Sequence, residues 1–189
     1  PTIKVDVTRE ADVVEDVLRI YGYDNIPLSE TLSTDYIAKF PKKDIRAMRR
    51  SIGELLAGMG YNEIITNSLC KPVYSQKLES YKEEENVEML NKLSEDLGVM
   101  RQDLYFTGLD VINHNINRRQ ANLKFYELGK TYKKVDGKYI ENERLAIYLV
   151  GDKAEESWES KSEKANFHDL KTALVNVIER FKLKGYKTE

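Results

Sequence analysis

The sequence predicts an α+β fold in which helices flank an antiparallel sheet. Apolar residues from Ile45 to Met59 form one stripe at helical spacing, which indicates a long amphipathic helix. Asp136-Gly137 lies between two segments rich in β-favouring residues and is typical of a hairpin turn. A second helical stripe runs from Leu170 to Phe181. The succession of helix, strands and helix is the pattern of this fold class.

Residues 1–28 predict a strand followed by a helix. Val5 and Val7 alternate with polar residues as in a short strand, and Thr8 is a suitable N-cap. Gly22 is expected to end the helix, because glycine is favoured just past a helical C-terminus. The apolar residues of the expected helix are Val14, Val17, Leu18 and Tyr21.

Residues 29–40 are polar and aperiodic, which is typical of a linker, and residues 41–189 carry the remaining elements. Pro41 is expected to begin the long helix. The elements expected after that helix are a β-favouring segment at 63–69, a loop or helix-bearing insertion at 71–85, a strand at 87–90, a helix at 104–116 and a strand at 123–132. The strand after the hairpin turn is expected to bury only one face, because its apolar residues alternate strictly: Leu145, Ile147 and Leu149.

Composition excludes several classes of protein. With 30 Lys+Arg, 32 Asp+Glu and a formal net charge of −2, the chain lacks the overall positive field of a sequence-independent nucleic-acid binder. Hydrophobic residues make up 41% and charged residues 33%, which indicates a globular chain rather than a disordered one. The single cysteine, Cys70, excludes an internal disulfide and a Cys-rich zinc site. No apolar run approaches the roughly 18 residues of a membrane span, and we expect a cytoplasmic protein.

A group of acids near the N-terminus is the strongest candidate for a metal site. Three of the acids are spaced i, i+3, i+4 and so share one helical face, and the fourth precedes them: Asp12, Glu15, Asp16 and Asp6. Carboxylates at this spacing repel one another, so a nearby positive charge is needed to offset the repulsion. Arg9 and Arg19 lie within reach along the helix, and a hard cation such as Mg²⁺, which prefers oxygen ligands, is the other possibility. Composition alone favours a solvated acidic face over a metal site.

Two short patterns that suggest chemistry lack the context they need. The Gly-Lys-Thr at 129–131 resembles the end of a phosphate-binding loop, but position 124 is lysine rather than glycine and the segment continues as a strand. His114 and His168 are far apart in the sequence and are paired with no recognisable nucleophile. We therefore expect both histidines to be surface or capping residues.

Four arginines keep a nucleic-acid role open. A stand-alone module that binds tRNA or another RNA would use them as phosphate contacts: Arg49, Arg50, Arg118 and Arg119. The alternative is that they are solvent-exposed residues at the ends of helices, and the negative total charge of the chain favours this alternative.

Four strings resemble the β subunit of bacterial phenylalanyl-tRNA synthetase. They occur in the same order as in that family and cover most of the chain. The strings are DVTREADVVEDVLRIYGYDNIP at 6–27, MLNKLSEDLGVMRQDL at 89–104, KFYELGKTY at 124–132 and NFHDLK at 166–171.

The resemblance implies a class II aminoacyl-tRNA synthetase-like module that is itself non-catalytic. It also implies an (αβ)₂ assembly that binds tRNA(Phe), in which the α subunit holds the active site and uses ATP to attach phenylalanine to the tRNA. On this interpretation residues 1–28 are the C-terminal remnant of the preceding domain. Residues 41–189 are then the catalytic-like module, truncated at its C-terminus, and the helix at 42–59 is expected to build the subunit interface.

The resemblance also implies a magnesium site. The ligands of the family carry over onto Asp6, Asp12, Glu15 and Asp16, with Mg²⁺ shared with the α subunit. Asp16 departs from the family, which has glutamate there, and its shorter side chain would bind the ion through water.

Catalysis by this chain is not expected. Class II chemistry requires arginines against the phosphates of ATP, because negative charge develops there in the transition state. The candidate strand offers only lysines, which are point charges rather than bidentate forks: Lys124, Lys130 and Lys133. A class II synthetase-like ligase with an unorthodox site remains the enzymatic alternative.

Overall fold

The computed structural model describes residues 5, 7–28, 43–79, 81–92, 94–153, 157–158 and 161–187. The chain divides into two compact units, Pro1–Lys43 and Asp44–Glu189. The expected linker at 29–40 lies outside the described residues, as do Asp6 and Pro41. The domain boundaries at 28 and 41 therefore stay predictions. No described helix is long and apolar enough to cross a membrane.

The first unit contains helix α1, Glu10–Tyr21, followed by a single 3₁₀ turn. Its N-cap is Arg9 rather than Thr8. Gly22, at φ 90°, donates its backbone N–H to the carbonyl of Leu18 and ends the helix as predicted. The predicted strand before it is wrong for the described residues, because Val5 and Val7 pair with no other strand and alternation alone forms no ladder.

The second unit contains three α-helices and six strands within its described residues. These are α2 Ile45–Gly58, β1 Asn62–Glu63, β2 Leu69–Cys70, β3 Val87–Glu88, β4 Val99–Met100, α3 Tyr105–Ile116, β5 Leu123–Val135, β6 Lys138–Val150 and α4 Phe167–Arg180. One sheet has the order β1-β5-β6 and the other β2-β4-β3. All pairs are antiparallel except β1 with β5. The α+β prediction is confirmed, but the segment predicted at 63–69 splits into two short strands in different sheets.

The β5–β6 hairpin is the largest element of the second unit. Its register runs without a break from Leu123 opposite Val150 to Val135 opposite Lys138. Asp136 and Gly137 have φ values of 50° and 75°, which are the positive values that a two-residue type I′ turn requires. The predicted hairpin turn is therefore confirmed.

Both faces of the hairpin are covered, so the prediction that β6 buries one face is wrong. On one face α2 and α4 pack over Tyr126, Leu145 and Ile147. On the other face Tyr148 is only 9% exposed and packs with Ile112 of α3. The alternation of apolar residues in the sequence indicated only the first face, because Tyr148, between Ile147 and Leu149, does not stand out as a core residue.

Candidate functional site

A buried ion pair lies on the α3 face of the β5–β6 hairpin. Arg101, directly after β4, is 3% exposed, and Glu127, in the middle of β5, is 2% exposed. The Nη1 atom of Arg101 lies 2.8 Å from Oε1 of Glu127. Thr66 donates its hydroxyl to Oε2 of the same carboxylate at 2.8 Å and accepts a hydrogen bond from Arg101. Both members of the pair thus have further hydrogen-bond partners, which a buried charge pair needs to be tolerated.

Backbone contacts fix the position of Arg101. Its N–H donates to the carbonyl of Ser68, and its own carbonyl accepts from the N–H of Tyr132, both at 2.9 Å. The side chain lies across β5 where Gly129 has no side chain, since a Cβ there would be 2.4 Å from Nη2 of Arg101. A glycine inside a strand weakens the strand, and here it provides the space for the guanidinium.

Tyr148 fills the adjacent part of the same face. Its hydroxyl donates to the carbonyl of Leu104 at 2.6 Å, and burial raises the pKa of this phenol above its usual value. A Cβ at Gly108 of α3 would lie 2.1 Å from the ring, so the absence of a side chain at Gly108 lets α3 approach. The chain's own side chains therefore occupy this face of the sheet.

The three lysines that β5 offers in place of catalytic arginines are not brought together. Because side chains alternate along a strand, Lys124 and Lys130 lie on one face of β5 and Lys133 on the other. Lys130 pairs with Glu141 at 2.6 Å, and the hydrogen bond with this carboxylate raises the lysine pKa. Lys133 pairs with Glu85 at 2.8 Å.

The predicted magnesium ligands that are described lie on α1. Oδ2 of Asp12 accepts the backbone N–H groups of Arg9 and Thr8 at 2.8 and 3.0 Å, and these bonds lower the pKa of Asp12. Glu15 pairs with Arg19 at 2.8 Å. Asp16 is the third acid of this helical face, and Asp6 lies outside the described residues.

The oxygen donors of this face match the preference of Mg²⁺ for hard ligands. Asp12 and Glu15 nevertheless hold arginines in this structure. Across the described part of the chain, no three acidic, histidine or cysteine side chains converge as a metal site requires. The magnesium site therefore stays a prediction.

The helix predicted to form an interface is half covered. Leu56, in its C-terminal half, is completely buried in the core with α4, whereas Ile45 and Met48 are 55% and 39% exposed. Arg49 is used within the chain, because it donates to the carbonyl of Leu128 at 2.6 Å. The uncovered apolar surface of α2 is thus confined to its N-terminal half.

Of the other arginines of the RNA alternative, Arg50 lies on α2 and two lie at the end of α3. Arg118 donates to the carbonyl of His114 at 3.0 Å, and Arg119 has a φ of 64° just beyond the helix. His114 lies on α3 and His168 in the first turn of α4. Neither the arginines nor the histidines form a cluster among the contacts of the described residues.

Comparison with protein families decides the affiliation of the chain. The model of the phenylalanyl tRNA synthetase beta chain CLM domain matches residues 28–189, and that of the tRNA synthetase B5 domain matches residues 1–23. The chain belongs to the phenylalanyl-tRNA synthetase beta chain family. This confirms the affiliation that the four strings indicated.

Curated members of the phenylalanyl-tRNA synthetase beta chain family are similar over nearly the whole chain. The phenylalanine–tRNA ligase beta subunit of Bacteroides thetaiotaomicron is 38% identical in an alignment of 192 positions, which covers 97% of this chain and 23% of that protein. The beta subunit of Porphyromonas gingivalis is 36% identical, over 94% of this chain and 23% of that protein. The chain thus spans about a quarter of the length of these relatives.

Solved structures confirm the class II aminoacyl-tRNA synthetase-like fold. A pyrrolysyl tRNA synthetase of Desulfitobacterium hafniense aligns with a TM-score of 0.54 and 13% identity, over 76% of this chain and 48% of that one. An ATP phosphoribosyltransferase regulatory subunit/histidyl-tRNA synthetase of Bacillus halodurans aligns with a TM-score of 0.52 and 15% identity, over 79% of this chain and 39% of that one. At these identities the likeness concerns the fold alone.

Sequence reasoning missed the buried ion pair of this beta-chain module. Arg101 lies within the string at 89–104 that signalled the family, yet its partner Glu127 is 26 residues away. Gly129 was the available signal, because a glycine inside a strand pattern marks a close approach of another group.

Sequence reasoning also missed an apolar groove between β6 and α4. Its volume is about 890 Å³, and two lysines are among the residues that line it, Lys171 and Lys187. Its apolar lining consists of Leu145, Ile147, Phe167, Leu170, Leu174, Val175, Ile178 and Tyr186.

Proposed function

We propose that this chain is a non-catalytic module of the phenylalanine–tRNA ligase β subunit in the cytoplasm. It supports the α subunit, which binds ATP and attaches phenylalanine to its tRNA. The observation that carries the proposal is the filled sheet face, which Arg101, Glu127 and Tyr148 occupy. Arg101 and Glu127 pair with each other, and the hydroxyl of Tyr148 donates to the carbonyl of Leu104. A nucleotide would need both that space and unpaired cationic groups.

The proposed partner is the α subunit in an (αβ)₂ assembly with tRNA(Phe). Ile45 and Met48 on α2 are the proposed contact, since exposed methionine and branched apolar side chains next to one another are favoured at protein interfaces. Helix α2 is anchored at its other end by Leu56, so it can present these residues rigidly.

Co-expression tests the partnership. A tagged form of this chain is expected to retain the untagged α subunit, and Met48→Glu is expected to reduce the retained amount about tenfold because a carboxylate at an interface core is costly. Ala57→Glu is the matched control, since Ala57 is exposed on the same helix but outside the apolar stripe. If the unaltered chain retains no α subunit, the proposed partnership is wrong.

Exchange of pyrophosphate into ATP tests the non-catalytic role. The purified chain is expected to give no exchange above a protein-free blank. Exchange that disappears in Lys124→Ala would overturn the proposal and favour the ligase with an unorthodox site. Binding of tRNA by the chain alone, with an affinity that falls steeply with salt, would favour the RNA-binding module.

We further propose that Asp6, Asp12, Glu15 and Asp16 hold Mg²⁺ in the complex with the α subunit. The ion would supply positive charge that orders the acidic face, and Arg9 and Arg19 now perform this role at Asp12 and Glu15. Calorimetric titration with MgCl₂ is expected to show tighter binding by the complex than by the chain alone. Glu15→Gln is expected to weaken that binding and Asp24→Asn is not; equal binding by both variants would contradict the site.

A further inference from the structure

The guanidinium of Arg101 lies in a receptor formed by other parts of the chain. Oε1 of Glu127 accepts from Nη1 at 2.8 Å, the carbonyl of Lys130 accepts from Nε at 2.9 Å, and the carbonyl of Asn67 accepts from Nη1 at 3.4 Å. Gly129 forms the floor, because any side chain there would collide with Nη2. With the Thr66 hydroxyl, which also accepts from Nη1, these acceptors meet two nitrogens that a guanidinium holds in one plane, Nε and Nη1.

The receptor is held by contacts that do not require the Arg101 side chain. The hydroxyl of Thr66 donates to Oε2 of Glu127 at 2.8 Å, and the backbone N–H of Thr66 donates to Oε1 at 3.3 Å. Lys130 is held in the β5–β6 ladder opposite Glu143. We therefore expect the Glu127 carboxylate and the Lys130 carbonyl to stay in place when the Arg101 side chain is removed.

We infer that this receptor is a binding site for a guanidinium cation, which Arg101 fills from within the chain. Truncating Arg101 to alanine leaves a buried carboxylate without its counter-ion and two carbonyls without donors, and both are strongly unfavourable. A free alkylguanidinium ion of matching size restores all of these contacts. A compact ammonium ion supplies the charge but not the planar set of donors.

Chemical rescue of Arg101→Ala tests the inference. Ethylguanidinium is the probe, because it carries the atoms that the substitution removes. Arg101→Ala is expected to melt about 10 °C below the unaltered chain, given the usual effect of breaking a buried ion pair in a protein of this size. Adding about 20 mM ethylguanidinium chloride is expected to raise the melting temperature of the variant by about 4 °C and to leave the unaltered chain unchanged.

Two controls separate a shaped site from simple charge screening. Ethylammonium chloride at the same concentration is expected to have no comparable effect on Arg101→Ala. The double variant Arg101→Ala/Glu127→Gln is expected not to respond to ethylguanidinium, because it lacks the buried charge. An equal response to ethylammonium, an equal response of the double variant, or no response of a folded Arg101→Ala would each overturn the inference.

If Arg101→Ala does not fold without additive, the same titration is followed by near-ultraviolet circular dichroism. Recovery of the native spectrum with ethylguanidinium alone supports the site, and absence of recovery overturns it. The outcome is independent of the proposed function, because co-purification with the α subunit is measured on the unaltered chain.

Discussion

A methyl group at Gly108 tests how tightly α3 packs on the sheet. The Cβ of Gly108→Ala would lie 2.1 Å from Cζ, 2.3 Å from the hydroxyl oxygen and 2.5 Å from Cε1 of Tyr148. Tyr148 cannot yield easily, because it is 9% exposed and its hydroxyl is bonded to the carbonyl of Leu104. Either the ring leaves its place or α3 moves away from β6.

The expected magnitude follows from these contacts. Alanine stabilises a helix interior by about 1 kcal/mol relative to glycine. Expelling the tyrosine loses a hydrogen bond of about 1 kcal/mol and the burial of a large aromatic ring, which contributes about 3 kcal/mol. The net expectation is a loss of about 3 kcal/mol in the free energy of unfolding, and a melting temperature lower by about 6–12 °C.

Equilibrium urea unfolding followed by circular dichroism measures this loss. Gly58→Ala is the matched control, since Gly58 is the last residue of α2 and a Cβ there meets nothing within 4 Å. This control is expected to be as stable as the unaltered chain or up to about 1 kcal/mol more stable. The double variant Gly108→Ala/Tyr148→Leu is expected to recover at least about 1 kcal/mol relative to the sum of the single variants. A Gly108→Ala chain as stable as the control would refute the packing argument.

Two further predictions concern titratable groups. Burial raises the pKa of the Cys70 thiol to about 11, so at pH 8 the folded chain is expected to react with a disulfide reagent at least about 100-fold more slowly than the chain in urea; equal rates would contradict this. The hydrogen bond from Lys133 lowers the pKa of Glu85, so Glu85 stabilises the fold above its ordinary pKa and loses this effect as pH falls through the lowered value. Glu85→Gln is therefore expected to be less stable than the unaltered chain in urea unfolding at pH 7 but nearly equal at pH 3, and a gap of the same size at both pH values would show that the ion pair is not its origin.

Local signals explain what could be predicted from the sequence. Asp136 and Gly137 determine their own turn, because the positive φ values they adopt are a property of those residues. The stripe from Ile45 to Met59 likewise predicted α2, although the capping residue is Asp44, whose carboxylate accepts from the N–H of Ala47. Both features depend on neighbours within a few residues.

What escaped prediction depends on distant contacts. The burial of Tyr148 requires α3 to lie on the second face of the hairpin, and periodicity within β6 carries no information about that helix. The ion pair of Arg101 with Glu127 joins the end of β4 to the middle of β5, and the sequence around an arginine does not indicate which distant carboxylate it will pair with. The acids at Asp12 and Glu15 were found by spacing, but spacing does not tell an arginine from a metal ion as the counter-charge.

The free edge of strand β6 affects how the isolated chain behaves in solution. Within the described sheet, β6 is an edge strand of thirteen residues, and apolar side chains of α4 lie beside it. Unsatisfied main-chain donors and acceptors along such a border recruit further copies by edge-to-edge pairing. We therefore expect the isolated chain to self-associate as its concentration rises, and light scattering measured against concentration will show where this association begins.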